Sequence, residues 1–195
     1  MPKEKIKIVA ISGSIRPDNY TLKALQLVLD ELNKFDHVES VLIDPTNLHL
    51  PLPGEGEASA AVEIQKQVSS AVGVILSTPE YHGSYSSVIK LVIDNLGFPS
   101  ALAGKPVALL GVASGQIGAI KALEHLRSVC SHVGAIALPA PVSVASVSRV
   151  FDEQGHCTDP KVEQRIRSVA TGLLDYINNN ICPRKTLEEM VREKS

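Results

Sequence analysis

The chain has 195 residues, 44% hydrophobic and 21% charged, which suits one soluble domain with a sizeable core and argues against disorder. Its 19 basic and 21 acidic side chains leave a formal charge of −2 with no basic face, which excludes a nucleic-acid binder built on phosphate neutralisation. Three widely spaced cysteines, Cys130, Cys157 and Cys182, form no Cys-x-x-Cys pattern, so neither a disulfide framework nor a zinc site is expected.

Met1-Pro-Lys-Glu-Lys-Ile runs directly into an apolar stretch, with no apolar leader or cleavage site, and no window approaches the roughly 18 apolar residues of a spanning helix. The expectation is a cytoplasmic protein without membrane insertion. Ile6 to Ile11 is a near-continuous β-branched run, the pattern of a strand covered on both faces. Leu22, Leu25, Leu29 and Leu32 then recur at helical spacing, and Val38 to Ile43 reads as a second strand. The proline-rich stretch from Asp44 to Gly56 is longer than a plain connection needs, so it is expected to cover a site or pack on a neighbour.

A helix is predicted from about Ala58, a third strand over Val72 to Ser77 and a helix over Ser86 to Leu96. There follow a strand over Pro106 to Val112, a helix over Ile117 to Val133, and a fifth strand over Ala135 to Val144 interrupted at Pro139 and Pro141. A long helix over Asp159 to Asn179 closes the pattern, with a short helix possible over Thr186 to Glu193. Five strand–helix alternations specify an α/β fold, a parallel sheet with helices on both faces in a three-layer sandwich.

In such sheets ligands bind beyond the carboxyl ends of the strands. Three loops there have the composition of a site. The first, Ser12 to Thr21, is rich in hydroxyls and carries Arg16; unpaired N–H groups at the following helix start make it a candidate anion seat, with Ser14, Arg16, Asn19, Tyr20 and Thr21 as donors. The same composition also suits an ordinary loop whose Ser, Asp and Asn cap the helix. It lacks the Gly-x-Gly-x-x-Gly of a dinucleotide site and the Gly-Lys-Ser/Thr of a P-loop. The second loop, Thr78 to Ser86, holds two of the chain's seven aromatics, Tyr81 and Tyr85, and suits a planar ring; a solvent loop packed on nearby helices is the alternative. His82 and Glu80 have no paired acid at recognisable spacing, so neither is assigned as acid or base. The third, 113–118, joins strand to helix through glycines, as a ligand-facing helix start or as a tight turn.

Together these loops resemble the NADPH-dependent FMN reductase family of the flavodoxin-like superfamily. Gly13-Ser-Ile-Arg-Pro-Asp-Asn-Tyr-Thr21 is similar to the family's phosphate loop, Pro79-Glu-Tyr-His-Gly-Ser84 with Ile89-Lys-Leu-Val-Ile-Asp94 to its ring-lining stretch, and Ser114-Gly-Gln-Ile-Gly118 to its glycine-rich turn. Phe151-Asp-Glu-Gln-Gly155 with Asp159 extends the likeness, which covers most of residues 6–178. Two positions depart from the pattern: Asn19 stands where many members have serine, and Ala119 where a second glycine is common.

The resemblance implies a flavodoxin-like five-stranded parallel sheet of order 2-1-3-4-5, with residues 1–180 as the FMN-binding domain and 181–195 as a tail. It implies FMN and NADPH as cofactors and hydride transfer from NADPH through FMN to free FMN, a quinone or another small acceptor, with no catalytic side chain and no metal. The implied cofactor-binding set is Ser12, Ser14, Arg16, Asn19, Tyr20, Thr21, Pro79, Glu80, Tyr81, His82, Gly83, Ser84, Ser114, Gly115 and Gly118. A homodimer or homotetramer is also implied, its contacts made by the Leu48-to-Gly56 loop and the helix after Ser86. A flavodoxin-type electron carrier that binds FMN without oxidising NADPH is the alternative; its usual acidic excess is slight here, at −2.

Overall fold

A computed structural model describes residues 5–56 and 58–182. The sheet is built from β1 (Ile6–Ser12), β2 (Val38–Ile43), β3 (Gly73–Tyr81), β5 (Pro106–Val112), β6 (Ile136–Ala137) and β7 (Val142–Val144), all paired in parallel, while β4 (Ser84–Tyr85) folds back antiparallel on the end of β3. Its order is β2-β1-β3-β5-β6, with β7 also on β5. Counted by position across the sheet this is the expected 2-1-3-4-5, the flavodoxin-like winding.

The sheet has seven strands rather than five for two local reasons. The fifth position is broken where Pro139 and Pro141 flank Ala140, held at φ 57°; pairing lapses after Ala137 and resumes at Val142 opposite Leu110. Two prolines remove two ladder donors there, so β6 and β7 are halves of one strand position. β3 also runs four residues past the expected end at Ser77. Its pairing with β1 stops at Ser12 opposite Ser77, and Pro79 pairs only toward β5, where one unpaired side tolerates a proline.

Among the described residues, five α-helices cover the two faces. α1 (Tyr20–Leu32) and α5 (Pro160–Tyr176) lie on one; α2 (Ser59–Ser70), α3 (Ser87–Asp94) and α4 (Ile120–His132) lie on the other. Alternation along the strands divides the core accordingly. Ile8, Ala10 and Ile75 meet α1 and α5, whereas Val9, Ile11, Val74 and Leu76 meet the opposite helices. Side-chain caps set the starts of three helices: Asn19 for α1, Ser86 for α3 and Asp159, followed by Pro160, for α5.

The 44–56 connection contains a 3-10 turn over Pro45–Asn47 and is tied to the end of α3, where Asn95 Nδ2 donates to the Pro51 carbonyl at 3.0 Å. After α5 the chain continues as a π-turn over Ile177–Ile181. The short helix expected over 186–193 lies outside the described residues. Among the described residues, no helix is long and apolar enough to cross a membrane.

Candidate functional site

β1, β3 and β5 all end on the same edge, and the loops leaving them converge around one cavity of about 230 Å³. Its lining includes Ser14, Arg16, Asn19, Tyr20 and Thr21 from the first loop, Pro79, Glu80 and Tyr81 from β3, and Ser114 from the third loop.

The first loop is held close to the sheet. A Cβ on Gly13 would run into the Ser77 carbonyl, so only glycine allows this approach. Ser12 and Ser14 are buried; Ser12 Oγ donates to the Ser14 carbonyl at 3.4 Å, and Ser14 Oγ accepts from Arg16 N at 3.4 Å. Asn19 spends both ends of its amide locally. Its Oδ1 accepts from Leu22 N at 2.8 Å and its Nδ2 donates to the Arg16 carbonyl at 2.8 Å. That leaves the N–H groups of Tyr20 and Thr21 without partners among the described residues. The exposed Arg16 guanidinium likewise has no side-chain partner there. The donor set therefore fits an anion: one free cation, two free helix N–H groups and hydroxyls beside them.

The second loop is a tight hairpin. His82 (φ 50°) and Gly83 (φ 75°) form the two-residue turn between Tyr81 and Ser84, a turn type that needs positive φ at both central positions. Tyr81 and His82 are exposed. The hairpin is fastened to α4 at two points: Glu80 Oε2 accepts from Ala122 N at 3.0 Å, and Ser84 Oγ lies 3.0 Å from His125 Nδ1. Glu80 thus satisfies an otherwise open donor in the first turn of α4. A second α4 donor, Ala119 N, is taken by Ser143 Oγ at 2.9 Å.

Of the residues expected from sequence, Ser12, His82, Gly83, Ser84, Gly115 and Gly118 do not line the cavity. Ser12 lies beneath the loop, His82 and Gly83 form the hairpin tip, Ser84 turns toward α4, and Gly118 is buried against Ser143. Pro17, Asp18, Val112, Ala113 and Val147 line it without having been expected. Asp18 was legible as part of the first loop. Val147 arrives from beyond β7, joined to the third loop by its N–H donating to the Ala113 carbonyl at 3.0 Å, a contact with no local sequence signal. Buried Ser77, opposite Ser12 in the ladder, keeps a hydroxyl with no partner among the described residues.

The sequence pattern of the NADPH-dependent FMN reductase family matches residues 6–148. The chain belongs to that family. The reductase is 31% identical over 172 residues to an NAD(P)H-dependent FMN reductase of Pseudomonas aeruginosa, across 84% of this chain and 91% of that protein. It is 31% identical over 175 residues to an NADPH azoreductase of a Bacillus species, across 88% and 94%. Its fold matches the flavoenzyme NAD(P)H:(acceptor) oxidoreductase FerB of Paracoccus denitrificans with a TM-score of 0.75 at 22% identity, over 88% of the reductase and 97% of that chain. With family and fold agreeing, the three loops of the reductase fall at the switch point where doubly wound sheets bind ligands.

Proposed function

We propose that this chain is a cytoplasmic NAD(P)H-dependent flavin oxidoreductase that holds FMN at the three-loop edge and passes hydride from NADPH to FMN, a quinone or another small acceptor. The observation that carries the reading is the placing of unpaired donors, Arg16 and the N–H groups of Tyr20 and Thr21, at one end of the cavity bordered by Pro79 to Tyr81 and Ser114. Family membership supplies the guest. Bound FMN supplies the hydride chemistry, and the protein supplies grip, orientation and electrostatics.

Ser14, Arg16, Tyr20 and Thr21 take the phosphate, and Asn19 and Ser12 serve it by holding the helix start and the loop. Pro79, Glu80 and Tyr81 border the ring, with His82, Gly83 and Ser84 giving their strand its hairpin stiffness. Ser114 meets the polar end of the ring, and Gly115 and Gly118 shape the turn that presents it. Residues 1–180 form the FMN-binding unit, with 181–195 as a tail. The cavity is smaller than the roughly 300–1,000 Å³ of pockets that enclose a ligand of this size. This favours a homodimer or homotetramer in which a neighbouring copy completes the cover.

The test is steady-state oxidation of NADPH and NADH by the purified protein, with free FMN, a quinone and an azo dye as acceptors and flavin content measured alongside. Turnover with NADPH and at least one acceptor is expected. FMN binding without any nicotinamide oxidation would overturn the reading in favour of an electron carrier.

A further inference from the structure

The hydroxyls of Thr78 and Ser86 form a buried relay between the first two loops. Thr78 Oγ1 donates to the Pro79 carbonyl at 2.9 Å and accepts from Ser86 N at 3.1 Å. Ser86 Oγ accepts from Ile89 N at 3.1 Å, capping α3, and donates at 2.5 Å to the carbonyl of Gly13. Both side chains are fully shielded from solvent, and 73 residues separate Ser86 from Gly13. Among the described residues, no other side-chain hydrogen bond joins the 12–21 loop to the 78–86 segment.

We infer that Ser86 is a positioning residue that couples the phosphate end of the site to its ring end, an inference resting on FMN as the guest. Gly13 immediately precedes Ser14 and Arg16, so its carbonyl fixes where the anion-binding donors stand. On the other side, Ser86 N and Thr78 fix the strand end that carries Pro79 to Tyr81. Ligation at one loop therefore sets the geometry of the other through these two hydroxyls, in a dry setting where an unmade hydrogen bond is costly. Ser86 touches neither end of the cavity directly.

The coupling is read with ligands that fill one end each: lumiflavin, the ring without its tail, and inorganic phosphate. In the wild-type chain, saturating phosphate is expected to tighten lumiflavin binding about tenfold, with phosphate tightened equally by lumiflavin, as linkage requires. In Ser86→Ala that factor falls to about one, while each ligand alone binds within about twofold of wild type and FMN binds about tenfold more weakly. Loss of a helix cap alone lowers the melting temperature and leaves the factor unchanged. Ser86→Thr keeps the hydroxyl and is expected to keep the factor. Thr78→Val, which removes the relay's other hydroxyl at constant volume, serves where Ser86→Ala does not fold, and is expected to reduce the factor. A wild-type factor in either folded hydroxyl-deleted variant, or none in the wild type, overturns the inference. Failure of the wild type to bind FMN in a parallel titration overturns instead the reading of the site.

Discussion

Arg16 carries a charge that the fold does not use: it is exposed, and among the described residues nothing pairs with its guanidinium. Arg16→Ala is therefore expected to leave the melting temperature unchanged and to weaken FMN binding about ten- to a hundredfold, the effect of losing a hydrogen bond to a charged group. A fluorescence titration with unchanged FMN affinity would remove Arg16 from the phosphate seat. Cys130, on the inner face of α4, is the opposite case. Burial pushes its thiol up to about 11, against a smaller downward pull from Arg127. Between the unfolded thiol's value near 8.5 and 11, the unfolded chain releases a proton that the folded chain retains. Stability is thus held below about pH 8.5 and lost as pH rises, by up to about 1.4 kcal/mol per pH unit from this one group. Denaturation midpoints from pH 7.5 to 10 are expected to fall more steeply for the wild type than for Cys130→Ala; equal slopes would refute the assignment.

At the scale of elements, the β3–β4 hairpin and α4 act as one piece, because Glu80 and Ser84 both reach α4. Glu80→Ala is expected to cost about 1 kcal/mol by opening the first turn of α4, and Glu80→Gln less, since it keeps an acceptor and loses only the charge facing the helix dipole. Urea denaturation ranks the three proteins, and no difference between Ala and wild type would mean that water replaces the carboxylate without loss. This bond also marks the limit of what the sequence carries. Apolar periodicity located the main strands and all five helices to within a few residues, since burial on one or both faces writes itself into local spacing. Composition marked the loops Ser12 to Thr21 and Thr78 to Ser86 as candidates, and residues of both line the cavity. The use of their side chains was not legible: Glu80 binds 42 residues away and Ser86 binds 73 residues away. Asn19 illustrates the same limit locally, because a capping amide and a ligand-binding amide are spelled identically. The apolar run ends at Ser77, yet β3 continues through Pro79 to Tyr81, because β1 has already stopped and the proline faces no partner on that side.

For the whole molecule, the distribution of exposed apolar side chains argues for a second copy. Leu48 and Leu52 stand out from the 44–56 connection, and Phe98, directly after α3, is fully exposed. The Asn95–Pro51 hydrogen bond fastens that connection to the end of α3, so the two regions named from the family resemblance meet there. Isolated exposed leucines need no explanation, but an aromatic with no cover beside such a loop is the composition of a contact surface. Sedimentation equilibrium is expected to give a dimer or a larger even assembly for the wild type. Phe98→Asp, which buries a charge only if that face is covered, is expected to shift the protein toward monomer without lowering the melting temperature of the isolated chain. Weaker FMN retention by the same variant is the corollary, because the small cavity then loses the neighbour proposed to close it. A wild type that sediments only as monomer would remove the shared face, and the three loops would then have to hold the flavin unaided.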